Sequence, residues 1–251
     1  MARGLPPPLA LAYHGVDDVP LRRDPEHLFV RPQDLRRQIA KLREWGYELV
    51  SFGDLAQDVR PGRAALTFDD GLVDNLAVLA PLLQEVGAPA TVFVVSGWLG
   101  EPHPAAPWTR IVTEEELREL RAAGLEIGGH SASHADLSTL AYEGALDELS
   151  RGKQELEEVL GEPLEVAAYP YGRADTETAR AARDAGFRAA CAATARGSWD
   201  NPHFLPRQDM GNGCGLFGLR LKRGDRYEPL MRHLPARAAR RVGRHVGAAF
   251  R

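Results

Sequence analysis

Short apolar runs alternate with amphipathic stretches along most of the chain. Apolar runs of four to six residues predict buried strands, and apolar residues spaced three or four positions apart predict helices. The predicted strands are residues 9–13, 48–51, 64–68, 91–95, 126–129, 166–169 and 189–193. The predicted helices are residues 33–45, 74–86, 114–123, 140–160 and 175–185. This alternation is typical of β/α units built around a parallel sheet.

Capping residues support these boundaries. Thr113, followed three residues later by Glu116, predicts a capping box at a helix start. Four glycines stand where helices should end, a position that glycine favours because it adopts a left-handed conformation. They are Gly87, Gly124, Gly161 and Gly186. About seven parallel strands in this order favour a distorted or incomplete (β/α) barrel, with a doubly wound sheet as the alternative.

Length and composition are compatible with one main domain. The 251 residues are 44% hydrophobic and 26% charged, which excludes a disordered chain and a membrane-embedded one. We expect residues 1–217 to form a single domain and residues 218–251 to form a separate basic segment. The Pro-rich stretch at residues 100–108 is predicted to be a plain connecting loop over one rim of the barrel, with a loop that shapes a substrate groove as the alternative.

Charge is distributed unevenly along the sequence. Residues 218–251 contain ten Lys or Arg against two acidic residues, although the whole chain carries a net charge of -4. Apolar residues recur every four positions from Leu230 to Phe250, which predicts a basic amphipathic helix. Such a helix either closes the barrel or makes peripheral contact with an anionic membrane surface or a lipid-linked sugar. The rest of the chain, residues 1–217, is therefore acidic, which argues against nucleic acid as a partner.

The cellular compartment is inferred from what the sequence lacks. Cys191 and Cys214 form no CxxC pair, so we expect two reduced thiols. The apolar run at residues 9–13 is too short for a signal peptide, and no stretch approaches the ~18 apolar residues of a transmembrane helix. These features predict a cytoplasmic protein.

Two adjacent carboxylates, Asp69 and Asp70, follow the predicted strand 64–68 and precede Gly71. Neighbouring side chains diverge at a strand end, so one carboxylate can reach a metal ion while the other addresses substrate or water. Barrel enzymes carry their catalytic residues at the rim formed by the carboxyl ends of the strands. A simple turn is the alternative, because Asp and Gly are both favoured in turns.

Two histidines, His130 and His134, follow the predicted strand 126–129. If the chain enters a helical turn there, positions i and i+4 share a face and both imidazoles can bind one ion. One carboxylate and two histidines leave coordination positions open, as in catalytic sites. We therefore predict a divalent metal, with Zn²⁺ the best match, that assists hydrolysis of an amide. In a third segment after a strand, Tyr169-Pro-Tyr-Gly172, the Tyr171 amide can stabilise an oxyanion, and a rigid aromatic turn that only packs is the alternative.

Taken in order, these segments resemble the three motifs of the polysaccharide deacetylase family. The resemblance is to its nodulation-type chitooligosaccharide deacetylase group, carbohydrate esterase family 4, and covers roughly residues 8–210. It implies a distorted (β/α) barrel, a bound zinc ion and removal of acetyl groups from N-acetylated sugars. It also implies Asp69 as base, Asp70, His130 and His134 as metal ligands, and the Tyr171 amide in the oxyanion hole.

Two departures from the family pattern concern the remaining catalytic groups. Ala168 stands where the third motif usually has an arginine that holds the catalytic aspartate, and Arg207 is our candidate for that task, with a surface arginine as the alternative. The usual C-terminal histidine has no match. The segment Ala12-Tyr-His-Gly-Val16 resembles the start of a circularly permuted branch, which implies His14 as general acid, with packing in the core as the alternative. We assign His27, His103 and His203 to the surface or to loops.

The predicted activity is therefore removal of N-acetyl groups from an N-acetylated sugar, oligosaccharide or lipid-linked glycan. Hydrolysis of another small amide, such as a formamido sugar, is an alternative on the same scaffold, because fold does not fix the substrate. A second alternative is a carbohydrate-binding relative without activity, which the missing arginine at position 168 suggests.

Overall fold

The computed structural model describes residues 5–193, 197–211 and 214–223. Its strands are β1 (Leu9–Tyr13), β2 (Gly15–Val16), β3 (Phe29–Val30), β4 (Glu48–Val50), β5 (Arg63–Phe68), β6 (Thr91–Val94), β7 (Pro102–His103), β8 (Ala106–Arg110), β9 (Glu126–Gly129), β10 (Val166–Ala168), β11 (Ala189–Ala192), β12 (Leu205–Pro206) and β13 (Gln208–Asp209). Its α-helices are α1 (Pro32–Glu44), α2 (Phe52–Gln57), α3 (Ala80–Val86), α4 (Glu114–Ala122), α5 (Tyr142–Leu160), α6 (Thr176–Asp184) and α7 (Leu216–Arg223).

The main sheet curls into a nearly closed barrel. Its strand order is β12-β11-β10-β9-β6-β5-β1-β13, with β4 also paired to β5, and every pairing is parallel. Strands β12 and β13 are separated by Arg207 alone, and they pair with β11 and β1 respectively. Counted as one strand, they bring the strands of this sheet to eight. The predicted barrel is confirmed, and the doubly wound alternative is wrong.

Alternate residues of the barrel strands belong to two separate hydrophobic clusters. In β1, Leu9, Leu11 and Tyr13 belong to the larger cluster, which includes the apolar faces of the surrounding helices. Ala10 belongs to the smaller cluster with other small residues and Phe93. Strands covered on both sides read as continuous apolar runs, which is why the sequence predicted them closely.

A short helix, α2, closes one end of the barrel. Ser51 caps its first turn, and Phe52 and Leu55 lie in the smaller, inner cluster. The Phe52 amide donates to Thr91 Oγ1 at the start of β6, at 2.8 Å. Helix α2 thus covers the end at which the strands begin, and the end at which they finish is left for the site.

The structure confirms the predicted helix ends. Thr113 and Glu116 form the reciprocal capping box at the start of α4. Gly87 and Gly161 end α3 and α5 in the left-handed conformation. The predicted helix 74–86 begins with a π-helical segment, Asn75–Leu79, and continues as α3. Wide turns of this kind often occur at functional sites.

Four further predictions concern loops, thiols and the C-terminal region. The Pro-rich stretch is not a plain loop, because β7 and β8 form an antiparallel hairpin there. Cys191 and Cys214 are separate, buried thiols.

Helix α7 spans the predicted boundary between residues 217 and 218. The predicted basic helix falls on residues 224–251, outside the described residues. Among the described helices, none has the length and apolar character that crossing a bilayer requires.

Candidate active site

The predicted site residues follow the carboxyl ends of different barrel strands. Because parallel strands all finish at the same end of the barrel, their last residues form one rim. Aspartates 69 and 70 follow β5, His130 follows β9, Tyr171 lies in the turn after β10, and Arg207 separates β12 from β13. His14 directly follows β1. Residues separated by up to 193 positions in sequence are thus placed at one rim.

Asp70, His130 and His134 form a group of potential metal ligands. The Nε2 atoms of the two histidines each lie 3.6 Å from Asp70 Oδ1, too far for a hydrogen bond. All three ligand atoms lie within 4.8 Å of one another. Two ligands of a tetrahedral zinc ion, each about 2.1 Å from it, are about 3.4 Å apart. Asp70 Oδ1 is buried and has no hydrogen-bond partner among the described residues. This donor set and spacing fit a zinc-like ion.

The protonation of both histidines suits metal binding. His130 Nδ1 lies 2.8 Å from the carbonyl oxygen of Ala168, which can only accept a hydrogen bond. Nδ1 therefore carries the proton, and the Nε2 lone pair is directed toward Asp70, as in most metal-binding histidines. Burial lowers the pKa of His134 to about 4, so this ring is neutral at physiological pH.

The loop that carries these histidines is not the helical turn that would place positions i and i+4 on one face. Ser131 and His134 both have positive φ, near 62°, and Ser131 Oγ accepts a hydrogen bond from the His134 amide. Glu148 of α5 accepts from both the amide and the hydroxyl of Ser133, at 2.9 Å each. The two rings approach one ion site because α5 anchors a tight irregular loop.

Two glycines of α5 make this anchoring testable. A Cβ added to Gly152 would lie 2.6 to 2.9 Å from the backbone of Ser131 and Ala132, whereas one on Gly144 would meet Leu140 at an ordinary 3.6 Å. Gly→Ala normally stabilises a helix by about 0.5–1 kcal/mol. We expect that gain for Gly144→Ala, but a loss of about 1–3 kcal/mol for Gly152→Ala, because its methyl group overpacks the histidine loop. Denaturant unfolding of both variants measures this, and stabilisation by Gly152→Ala would contradict the close packing.

Asp69 is held by Arg207 in a buried ion pair. Arg207 donates from Nη1 to Oδ1 at 2.6 Å and from Nη2 to Oδ2 at 2.8 Å, and its side chain is fully buried. Nη1 also donates to Thr67 Oγ1, and the guanidinium lies over the Phe93 ring. Burial raises the pKa of Asp69, but the charge of Arg207 and its hydrogen bonds outweigh burial, so the net pKa lies below the ordinary value. Asp69 is therefore an ionised carboxylate in a fixed orientation.

The assignment of His103 to a loop or surface is wrong. Its side chain is 5% exposed, and its Nε2 lies 3.0 Å from Asp70 Oδ2. Burial raises the pKa of Asp70, but the hydrogen bond from His103 and the charge of His14 lower it, and the net pKa lies well below the ordinary value. The hairpin of β7 and β8 thus brings into the site a histidine that no sequence motif marked.

The segment from His14 to Val16 is held at the rim by two side chains that follow the aspartate motif. Asn75 Nδ2 donates to the His14 carbonyl oxygen at 3.1 Å, and Asp74 accepts a hydrogen bond from the Val16 amide. Burial raises the pKa of Asp74 to about 6. Asp74 and Asn75 were missed by the sequence analysis, although their position directly behind the motif was a usable signal.

Tyr171 adopts the left-handed conformation, with φ 59° and ψ 9°. Its side chain is exposed, and its ring centroid lies 4.7 Å from that of His134. The Trp98 ring also lies beside His134, at 4.8 Å. The role of the Tyr171 amide in stabilising an oxyanion stays a prediction.

Residues 56–190 match the family model for polysaccharide deacetylase. The chain belongs to the polysaccharide deacetylase family. The matched residues include both aspartates and both histidines of the candidate site, whereas His14 and Arg207 lie outside them. The resemblance to the nodulation-type group of carbohydrate esterase family 4 is thereby confirmed.

Individual relatives agree with this assignment to the polysaccharide deacetylase family. The Bacillus subtilis protein YxkH, named for the same family, is 29% identical over 136 residues, which are 53% of this chain and 46% of YxkH. The poly-β-1,6-N-acetyl-D-glucosamine N-deacetylase of Escherichia coli K12 is 34% identical over 100 residues, 38% of this chain and 15% of that enzyme. The matches thus span less than half the length of either relative.

A solved structure shows the same fold. The Streptococcus pyogenes deacetylase PplD superposes with a TM-score of 0.73 at 21% sequence identity. The superposition covers 87% of this chain and 99% of that one. The family's barrel is therefore present over most of the described residues.

Proposed function

We propose that the protein is a metal-dependent deacetylase that removes acetyl groups from N-acetylated amino sugars within a glycan. The observation that carries this proposal is the pairing of two carboxylates with different partners. Asp70 Oδ1 faces two histidine nitrogens without a hydrogen-bond partner among the described residues, and Asp69 beside it is fixed by Arg207. The family membership and the name of the Escherichia coli relative support a glycan substrate.

Asp70, His130 and His134 would hold a divalent cation, with zinc favoured by the donor set of two imidazoles and one carboxylate. When bound, such an ion polarises an amide carbonyl and lowers the pKa of water. This arrangement suits amide hydrolysis, because an unactivated amide resists attack by water at neutral pH.

Asp69 would act as the general base that takes a proton from the attacking water. Its lowered pKa keeps it ionised at neutral pH, and both of its oxygens are oriented by Arg207. His14 would donate a proton to the nitrogen as the C–N bond breaks, so that acetate and a free amino sugar leave. The Tyr171 amide would stabilise the negative charge that develops on the carbonyl oxygen.

The proposal predicts both a bound metal and a defined product. We expect about one zinc ion per chain, loss of that ion in the variant His134→Ala, and acetate release that stops with a chelator and returns with zinc. The assay compares N-acetylated monosaccharides, oligosaccharides and lipid-linked sugars with formamido analogues. Release of formate but not acetate would make the protein a deformylase. Glycan binding without any product from the zinc-loaded protein would make it a binding protein.

A further inference from the structure

The hairpin of β7 and β8 is fastened to the segment that follows the two aspartates. The Val112 amide donates to the Gly71 carbonyl oxygen at 2.9 Å, and the Val73 amide donates to that of Arg110 at 3.0 Å. Leu72 and Ile111 form an antiparallel bridge between these bonds. Asp70 itself has φ 73°, a conformation that few residues with a side chain adopt. The hairpin therefore packs against an unusual stretch of backbone beside a proposed metal ligand.

The protonation state of His103 follows from its own hydrogen bonds. The amides of Ala105 and Ala106 both point to Nδ1, at 3.2 and 3.1 Å. An amide N–H can only donate, so Nδ1 is an acceptor and carries no proton. In the neutral ring, Nε2 then carries the proton and donates it to Asp70 Oδ2, at 3.0 Å.

This hydrogen bond divides the Asp70 carboxylate into two unequal oxygens. Oδ2 is occupied by His103, and Oδ1 faces His130 and His134 at 3.6 Å. Without His103 the buried carboxylate could rotate about its terminal bond, because that torsion is broad. Fixing it before an ion arrives removes the cost of ordering it on binding.

We propose that His103 is a positioning residue that orients the Asp70 carboxylate and thereby tightens metal binding. The inference rests on the metal site of the proposed function. His103 is not itself a ligand, because Nδ1 is occupied by two amides and Nε2 by its proton. The Trp98 ring packs nearly perpendicular to the His103 ring, at 5.7 Å between centroids, and also packs against His134, so it keeps the orienting histidine beside the ligand group.

Two substitutions test the two hydrogen-bonding nitrogens of the ring separately, because each keeps one of them. In His103→Asn the amide oxygen can replace Nδ1 and keep the hairpin amides satisfied, but the side chain is too short to reach Asp70. In His103→Gln the amide nitrogen can replace Nε2 and still donate to Asp70. His203→Asn is the matched control, because His203 Nε2 bonds the Phe187 carbonyl oxygen at 2.9 Å and touches none of the ligands.

The readout is the dissociation constant for zinc, measured by competition with a chromophoric chelator on the full chain. We expect His103→Asn to weaken zinc binding about 10–100-fold, the usual effect of losing a hydrogen bond to a ligand. His103→Gln should recover most of that affinity, and His203→Asn should match the wild type. Unchanged affinity in His103→Asn would overturn the proposal, and so would an equally large loss in His103→Gln. Failure of the wild type to bind zinc would instead overturn the metal site of the proposed function.

Discussion

Asp69→Asn is expected to lower the rate of acetate release by about 10²–10⁴-fold, the usual contribution of a general base, while the protein still binds its metal. Asn has the shape of Asp but cannot accept a proton from water. The three proposed ligands, Asp70, His130 and His134, are unchanged in this variant. The measurement combines kcat for acetate release with the metal content of the purified variant.

A stability control must accompany this experiment, because Asp69 also neutralises Arg207. The introduced asparagine can still accept one hydrogen bond through its amide oxygen, but the buried guanidinium loses its counter-charge. Circular dichroism at the assay temperature shows whether the variant is folded. Asp175→Asn is the matched exchange of carboxylate for amide, at the N-cap of α6, where Asn caps as well as Asp. Wild-type turnover by folded Asp69→Asn would refute the assignment of Asp69 as base.

Asp70 and His130 could be predicted from sequence because they lie at the ends of apolar strands, and His134 follows His130 by four residues. Once the alternation of strands and helices indicates a parallel barrel, all strand ends meet at one rim. Asp70 and His130 then come together whatever the details of the intervening chain. Their distance within the rim is set by β5, β6 and β9, which are adjacent in the sheet.

His103 could not be predicted in this way. It lies in a Pro-rich stretch without strand or helix periodicity, and its contact with Asp70 depends on how β7 and β8 fold back over the rim. The hydrogen bonds that fasten the hairpin, from Val112 to Gly71 and from Val73 to Arg110, are between backbone atoms. Backbone pairing of this kind leaves little trace in residue types, so the sequence shows only a lone histidine.

Arg207 is an intermediate case. A missing arginine at Ala168 indicated that another cation should hold Asp69, but the sequence could not distinguish Arg207 from a surface arginine. The structure shows why it is buried. It lies between the short strands β12 and β13, which close the barrel between β11 and β1, and its guanidinium lies over the ring of Phe93 from the inner cluster.

Arg207→Met is expected to destabilise the protein by about 3–5 kcal/mol, because it leaves the buried Asp69 without its counter-charge. For a chain of this length that loss lowers the melting temperature by about 6–20 °C. In the wild type the charge of Arg207 outweighs burial and keeps the pKa of Asp69 low. In the variant the largest opposition to burial is lost and that pKa rises, so the acidic limb of the pH–rate profile should move to higher pH.

The double variant Asp69→Asn/Arg207→Met tests whether this loss comes from the ion pair itself. Met fills a volume similar to that of the arginine side chain, and the introduced asparagine carries no charge that needs a partner. Because the two wild-type residues touch at 2.6 and 2.8 Å, the effects of the single changes should not add. We expect the double variant to be about 1–3 kcal/mol more stable than the sum of the two single losses predicts. Denaturant unfolding of all four proteins gives this coupling energy. A coupling near zero would mean that Arg207 stabilises the barrel through its packing against Phe93 rather than through its charge on Asp69.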